Sequence, residues 1–133
     1  MPFVLDASVA ASWALADESS SIAEAAEDRL RDDYAMVPRI WRYEVRNLLI
    51  VNERRRRLTS DDSASFLRLL SAYPICQEPA EDEQEIIELA RHHGLSFYEA
   101  AYLSVAAHHQ IPLATLDKDL RSAAIAAAVP LLS

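Results

Sequence analysis

The chain has 133 residues, of which 51% are hydrophobic and 26% are charged. This balance excludes an intrinsically disordered protein, and the length favours one packed domain over residues 1–133. The formal net charge of −8 argues against binding of a nucleic-acid backbone by long-range attraction alone.

The cysteine content and the hydropathy of the chain indicate the cellular compartment in which the protein is located. Cys76 is the only cysteine, so the chain can form neither an internal disulfide nor a thiolate cluster for zinc or iron–sulfur. The apolar run at residues 3–16 lacks a basic flank and contains Asp6, which is not typical of a signal peptide. The apolar run at residues 123–132 is far shorter than the ~20 residues that cross a bilayer. We therefore expect a cytoplasmic protein without a membrane span.

Short apolar strands are predicted to alternate with helices. The strands are expected at residues 3–5, 35–37, 74–76, 112–116 and 129–132. The helices are expected at residues 8–16, 21–32, 38–54, 81–93, 97–109 and 117–128. A further helix should begin at the capping box Thr59-x-x-Asp62 and end before Pro74. This alternation predicts an α/β fold in which helices cover a parallel sheet on both sides.

Two aspartates stand at the ends of predicted strands. Asp6 and Asp117 each directly follow a strand and precede a helix. Ligands of such sheets bind beyond the carboxyl ends of the strands, so the two carboxylates are expected to meet there. Either aspartate alone is equally well explained as a helix N-cap. Ser8 and Thr115 are either supporting hydroxyls or ordinary helix-start and strand residues.

Two glutamates are candidates for the same site. Glu44 and Asn47 interrupt the apolar stripe of the helix at 38–54, and a carboxylate placed there needs a partner. An arginine is one candidate partner, but the nearby arginines lie off the i+3 and i+4 positions that would face Glu44. Glu99 matches a capping box with Ser96, which explains it without a catalytic role. The same helix start would also present its carboxylate at the sheet edge.

Convergence of these four carboxylates would require a cation. Two like charges ~4 Å apart repel by ~4 kcal/mol at an effective dielectric of ~20. A set of oxygen ligands selects hard ions, so Mg²⁺ or Mn²⁺ is expected. Such an ion activates water and stabilises charge on a phosphate, which predicts phosphodiester hydrolysis.

Arginines concentrate in the middle of the chain. They are Arg39, Arg42, Arg46, Arg54, Arg55, Arg56 and Arg57. This set is either a solvated helix end or a surface that faces a nucleic-acid substrate.

Four segments together resemble one known family. They are VLDASV at 4–9, EVRNLL at 44–49, GLSFYEAAYL at 94–103 and LATLDKDL at 113–120. In this order they are similar to PIN-domain toxins of the VapC type. The resemblance implies a three-layer α/β/α sandwich with a central parallel sheet, a Mg²⁺ or Mn²⁺ site, and endonucleolytic cleavage of RNA. It also implies a homodimer and a cognate antitoxin protein that blocks the site.

The resemblance also assigns the site residues. Asp6, Glu44 and Asp117 fall on acidic positions of the family, whereas Glu99 stands where aspartate is usual. These four form the predicted catalytic set, and Asp6, Glu99 and Asp117 are the predicted metal ligands. Supporting roles are predicted for Ser8, Asn47, Thr115 and Asp119, although for Asp119 an ordinary solvated place in a helix's first turn is the favoured explanation. The alternative function is a catalytically impaired PIN-like protein that binds RNA or a protein partner.

Overall fold

The computed structural model describes residues 1–133 and contains four strands and seven helices. The strands are β1 (Phe3–Leu5), β2 (Ala35–Val37), β3 (Ile75–Gln77) and β4 (Leu113–Ala114). The helices are α1 (Ala7–Ser12), α2 (Ser21–Arg29), α3 (Trp41–Arg54), α4 (Ser60–Ser71), α5 (Glu83–His93), α6 (Phe97–His109) and α7 (Lys118–Ala126).

The four strands form one parallel sheet in the order β3-β2-β1-β4. Successive residues of a strand point to opposite faces, and every residue of β1, β2 and β4 is buried. Helices therefore cover both faces of this part of the sheet, and the predicted three-layer α/β/α fold is confirmed. β3 differs from the expectation of strands that are buried on both faces, because Cys76 and Gln77 on this edge strand are exposed.

The register of β1 and β4 determines where the candidate carboxylates lie. Leu5 pairs with Ala114, and the backbone N–H of Asp6 donates to the carbonyl of Ala114 at 3.0 Å. The two strands run in the same direction, so their carboxyl ends are neighbours at one edge of the sheet. The residues that follow them, Asp6 after β1 and Asp117 after β4, start from this shared edge.

Helix α6 lies inside the core. Every residue from Ala100 to Ala106 is buried, and the helix packs against β1, β2 and β4 as well as against α5 and α7. All of these residues except Ser104 belong to one cluster of 35 buried residues that extends from Phe3 to Leu132. A helix enclosed in this way holds its buried side chains, including Tyr102, in well-defined positions.

The predicted caps are confirmed. Thr59 and Asp62 form a reciprocal capping box at the start of α4, and Ser96 and Glu99 form another at the start of α6. Gly94 ends α5 in the left-handed conformation, with φ of 65°, which glycine adopts without a steric penalty.

The predicted strand at residues 129–132 is wrong. Only Leu131 forms an isolated bridge, to Leu113 of β4. Ala128 has a positive φ of 58°, and Pro130 has no backbone N–H for a ladder. The apolar segment is therefore anchored against β4 as irregular chain, through hydrogen bonds from Leu113 N to the Pro130 carbonyl and from Leu132 N to the Leu113 carbonyl.

Several helix and strand bounds are shorter than predicted. The helix expected at 8–16 ends at Ser12, because the next residues form tighter turns with bonds from Ala14 N to Ala11 O and from Leu15 N to Ser12 O. The helix expected from residue 38 begins at Trp41, after a turn in which Trp41 N donates to Pro38 O. Smaller differences affect the ends of α2, α5, α7 and β4, and β3 lies one residue later than the predicted 74–76. No helix of the chain has the length and apolar character needed to cross a membrane.

Candidate active site

Asp6 lies buried at the carboxyl end of β1. The residue is 8% exposed, and its Oδ2 atom accepts hydrogen bonds from Ser8 Oγ and Thr115 Oγ1, both at 2.7 Å. Its side chain does not cap α1, so the N-cap interpretation fails for this aspartate. The predicted supporting hydroxyls of Ser8 and Thr115 both contact it. Asp6 is held by donors on two different segments, which fixes one carboxylate oxygen.

Asp117 joins the same network through the backbone. Its N–H donates to Thr115 Oγ1 at 3.0 Å, and the neighbouring Leu116 N–H donates to Ser8 Oγ at 3.3 Å. Asp117 Oδ1 accepts the Leu120 N–H at 2.8 Å, so this carboxylate does cap α7. Capping uses one oxygen, and the other remains free of protein hydrogen bonds.

Glu44 finds its partner on another helix. Tyr102 of α6 donates a 2.6 Å hydrogen bond from its hydroxyl to Glu44 Oε1. No arginine pairs with Glu44. Arg46, which is near Glu44 in the sequence, donates instead to the carbonyl of Arg42 at 3.0 Å. A half-buried carboxylate on α3 is thus satisfied by a tyrosine rather than by a salt bridge.

Glu99 caps the start of helix α6 and also lines the acidic cleft. Its Oε1 atom accepts the Ser96 N–H at 3.0 Å, as the capping box requires. Carboxylate oxygens of Glu99, Asp117 and Asp119 nevertheless lie within 4.8 Å of one another. The start of α6 therefore brings Glu99 to the start of α7.

These side chains share one cleft of about 230 Å³. It contains all four predicted catalytic residues together with Ser8 and Asn47, and it is lined by Asp6, Ala7, Ser8, Glu44, Asn47, Leu48, Glu99, Tyr102, Asp117 and Leu120. Thr115 lies beneath it and is fully buried. Residues from positions 6 to 120 of the chain thus form one acidic depression at the carboxyl edge of the sheet.

The cleft makes ionisation of two of its carboxyl groups, those of Asp6 and Glu44, costly. Burial raises the pKa of Asp6, and the Asp117 carboxylate raises it further, although the hydroxyls of Thr115 and Ser8 partly offset both effects. Burial likewise raises the pKa of Glu44, the Tyr102 hydroxyl opposes this, and the charges of Asp6 and Glu99 add to it. Several like charges therefore act on each other within this cleft.

Comparison with known proteins agrees with this geometry. The profile of the PIN domain family matches residues 3–126. The chain belongs to the PIN domain family. Ribonuclease VapC3 of Pyrobaculum aerophilum is 31% identical over 123 residues, which cover 90% of this chain and 92% of that protein. The predicted membership among VapC-type PIN proteins is thereby confirmed.

Two solved PIN-type structures share the fold. PAE2754 of Pyrobaculum aerophilum superposes with a TM-score of 0.71 at 22% identity, over 92% of this chain and 79% of that one. VapC20 of Mycobacterium tuberculosis, described as a sarcin–ricin loop cleaving toxin, superposes with a TM-score of 0.63 at 17% identity, over 92% of this chain and 95% of that one.

The donor set of this PIN domain fits a hard divalent cation. Only oxygen-bearing side chains offer ligand atoms in the cleft, and the acidic groups there have no cationic partner among the ion pairs of the chain. The closest group of carboxylate oxygens comes from Glu99, Asp117 and Asp119. Asp6 was expected in that group and instead shares the cleft beside it, whereas Asp119 was expected only in a supporting role.

The arginines do not line the cleft. Arg57 pairs with Asp17 and Glu18, both at 3.0 Å, and also donates to Asn52 Oδ1 at 3.0 Å. Arg39 pairs with Glu81 at 3.6 Å and donates to the Pro79 carbonyl at 3.2 Å. Arg42, Arg54, Arg55 and Arg56 are exposed and make no ion pair.

Another groove, of about 200 Å³, is formed in part by residues of α3 and α6, and we term it the aromatic groove. It is lined by Arg39, Ile40, Tyr43, Glu81, Phe97, Tyr98 and Ala101. Tyr43 is 73% exposed and Tyr98 is 55% exposed. Tyr43 precedes Glu44 on α3 and Tyr98 precedes Glu99 on α6, so the same two helices supply both depressions.

Tyr102 is the polar residue of the cleft that sequence reasoning missed. Its ring is buried in the core, and an aromatic residue within an apolar helix is ordinarily assigned to packing alone. The available signal was its position three residues after Glu99, which places the two side chains on one face of α6.

Proposed function

We propose that the chain is a metal-dependent endoribonuclease that acts as the toxin of a toxin–antitoxin pair. The observation that carries this proposal is the meeting of Asp6, Glu44, Glu99 and Asp117 in one cleft at the carboxyl edge of the sheet. The name ribonuclease given to VapC3, and the description of VapC20 as a toxin, support the activity and the role.

Mg²⁺ or Mn²⁺ is the proposed cofactor. Asp6, Glu99 and Asp117 are the residues proposed to hold it, with Asp119 close enough to Glu99 and Asp117 to assist. When bound, such an ion supplies a Lewis acid that lowers the pKa of water and stabilises charge developing on a phosphate.

The side chains of the cleft have separate tasks. Ser8 and Thr115 hold Asp6 Oδ2 and so orient that carboxylate. Glu44, whose pKa is raised by burial, is suited to accept a proton from an attacking water. Asn47 lines the cleft with an amide that can donate to a phosphate oxygen.

RNA is proposed to approach over the exposed arginines. Arg42, Arg54, Arg55 and Arg56 carry positive charge on or directly after α3, the helix that also bears Glu44. Such charges bind a phosphate backbone without reading its sequence. They offset the acidic character of the rest of the chain locally.

Cleavage of a mixed RNA pool tests the function. Purified protein is incubated with Mg²⁺ or Mn²⁺, and parallel reactions contain a chelator, the variant Asp6→Ala, or the variant Asp61→Asn. Asp61 is an exposed acid on α4 outside the cleft and serves as the matched control. We expect cleavage by the wild type and by Asp61→Asn, and loss of cleavage with chelator or Asp6→Ala. Cleavage that survives both treatments would refute the proposal.

A second candidate function is a catalytically impaired PIN protein that binds RNA or a protein partner. The observation in its favour is Glu99, which replaces the usual aspartate and already uses one oxygen in the capping box. Wild-type protein that binds RNA without cleaving any of the pool, in either metal, would support this alternative.

A cognate antitoxin is the proposed protein partner. A ribonuclease of this kind is harmful to its own cell unless the cleft is blocked. We expect expression of the chain alone to arrest growth, expression of Asp6→Ala to permit growth, and co-expression of the antitoxin to restore growth of cells that carry the wild type. Unimpeded growth with active enzyme present would contradict the toxin role.

A homodimer is proposed through the aromatic groove. Aromatic residues are enriched at protein interfaces, and the exposed side chains of Tyr43, Phe97 and Tyr98 line this groove. Sedimentation should show a dimer that Tyr43→Glu converts to a monomer. Ile125→Glu, at a position 68% exposed on α7, should leave the dimer intact. A monomeric wild type would contradict this proposal.

We also propose a single domain located in the cytoplasm. The continuous cluster of buried residues supports one cooperative unfolding transition over residues 1–133.

The exposed free thiol of Cys76 fits a reducing compartment such as the cytoplasm. Cell fractionation and a urea unfolding curve test the two statements.

A further inference from the structure

Tyr102 is a buried residue that lines the acidic cleft. The residue lies one helical turn after Glu99 on α6 and is 1% exposed. Its hydroxyl donates at 2.6 Å to Glu44 Oε1, on α3. Tyr102 and Glu44 line the cleft together with Asp6. One hydrogen bond thus connects the two helices that form opposite parts of the site.

The orientation of Glu44 depends on this bond. No ion pair of the chain includes Glu44, and no other side chain donates to it. A glutamate side chain loses considerable rotamer freedom when it is fixed, so an unrestrained Glu44 would sample several orientations. Because Tyr102 occupies Oε1, the Oε2 atom is left without a hydrogen bond from the protein.

The Tyr102 hydroxyl acts as a permanent donor. Burial raises its pKa above the ordinary value for tyrosine, and the carboxylates of Asp6 and Glu44 raise it further. The hydroxyl therefore keeps its proton, and Glu44 is always the acceptor when it is ionised. A hydrogen bond to a charged acceptor is stronger than one between neutral groups.

We propose that Tyr102 is a positioning residue for RNA cleavage, which holds Glu44 Oε1 so that Oε2 is available to the reaction. This inference rests on the proposed function. Tyr102 acts through Glu44 and does not itself touch the substrate. Its removal should therefore affect turnover more than substrate affinity, and only while the Glu44 carboxylate is present.

Tyr102→Phe tests the inference, and Tyr73→Phe is its matched control. Tyr73 donates to Glu27 Oε2 at 2.6 Å, so this variant also loses a tyrosine–glutamate bond, but outside the cleft. For RNA cleavage we expect Tyr102→Phe to lower kcat at least tenfold with KM within twofold of wild type. Tyr73→Phe should leave both within twofold. In a Glu44→Gln background, Tyr102→Phe should change the residual kcat less than twofold.

Affinity for Mn²⁺ gives a readout that does not depend on cleavage. Glu44 contributes to the charge of the cleft, so a displaced carboxylate should weaken Mn²⁺ binding. We expect at least a threefold loss of affinity in Tyr102→Phe and none in Tyr73→Phe. Urea unfolding with chelator checks that both variants are folded.

The outcomes separate the inference from the function on which it rests. If the wild type cleaves RNA and Tyr102→Phe keeps its kcat, the inference is overturned and the ribonuclease stands. If the wild type binds Mn²⁺ but cuts none of the pool, an unchanged Mn²⁺ affinity in Tyr102→Phe overturns the inference. A wild type that neither binds Mn²⁺ nor cleaves RNA overturns both.

Discussion

Thr115 Oγ1 donates a 2.7 Å hydrogen bond to Asp6 Oδ2, although the two residues are 109 positions apart in the chain. The same hydroxyl oxygen accepts the backbone N–H of Asp117 at 3.0 Å. Thr115 directly follows β4. Its side chain therefore connects the Asp6 carboxylate, after β1, to the backbone of Asp117, before α7. This buried hydroxyl therefore helps to fix the relative position of the two acidic residues, together with the bonds from Asp6 N to the Ala114 carbonyl and from Leu116 N to Ser8 Oγ.

Thr115→Val should impair both stability and activity. Valine keeps the shape of threonine but removes the donor to Asp6 and the acceptor for Asp117 N–H. Loss of a hydrogen bond to a charged group costs about 1.5–3 kcal/mol, and we expect urea unfolding to show a loss in this range. RNA cleavage should fall at least tenfold. Thr59→Val is the control, since it removes a cap of α4 at a cost of about 1 kcal/mol and should leave cleavage unchanged. Full activity in Thr115→Val would contradict the role of this hydroxyl.

Asp6→Asn should stabilise the metal-free protein at neutral and higher pH. Burial raises the pKa of Asp6 above its ordinary value of 3.8 in the folded state. Below pH 3.8 both states are protonated. As the pH rises from there to the raised pKa, the unfolded state releases its proton first, and the folded state loses stability. The variant lacks this penalty, so its advantage over wild type in urea with chelator should grow as the pH rises above 3.8 and become constant above the raised pKa of Asp6. A less stable variant at pH 8 would contradict the account.

Added Mn²⁺ should make the wild type more stable than Asp6→Asn. A ligand at 100 times its Kd stabilises the folded state by about 2.7 kcal/mol. Wild type should gain this stability, whereas Asp6→Asn should gain much less because it has lost a proposed ligand. Equal gains in the two proteins would show that Asp6 does not contribute to metal binding.

The variant Glu99→Gln distinguishes the helix-capping role of Glu99 from its proposed role in metal binding and RNA cleavage. Glutamine also completes a capping box, so helix α6 should keep its stability within about 0.5 kcal/mol. The charge near Asp117 is lost, and we expect weaker Mn²⁺ binding and at least a tenfold fall in cleavage. If cleavage is unchanged, Glu99 is only a cap.

The arginines should divide into two groups. Arg57 is committed to Asp17, Glu18 and Asn52, so Arg57→Ala should mainly destabilise the link between α3 and the segment before α2. A joint replacement of Arg54, Arg55 and Arg56 by alanine should instead weaken RNA binding. For single-stranded RNA, each lost phosphate contact lowers the slope of log K against log salt by about 0.7. An unchanged slope across a salt series would remove these arginines from the RNA surface.

Local signals in the sequence were sufficient for most of the fold. Both capping boxes and the glycine at the end of α5 lie where hydrogen bonding between neighbouring residues decides the structure. Asp6 and Asp117 were predicted to meet because a parallel sheet brings strand ends together, and they line the same cleft.

Long-range contacts explain what could not be predicted. The two acidic partners of Arg57 are about 40 positions away, and the bond between Glu44 and Tyr102 spans 58 positions. Hydrophobicity alone did not separate a strand from irregular buried chain at residues 129–132, where the backbone of Ala128 and the missing N–H of Pro130 prevent a ladder. Tyr102 is typical of a core residue because its ring is buried, and its hydrogen bond to Glu44 becomes visible only in the folded structure.

The central claim is that the carboxylates of this one cleft together bind a divalent cation. Titration of Mn²⁺, followed by electron paramagnetic resonance, tests it on the wild type, Asp6→Asn, Asp117→Asn and the outside control Asp61→Asn. The account predicts binding at one class of site in the wild type and in the control, and at least tenfold weaker binding in both cleft variants. Equal affinity in all four proteins would contradict it.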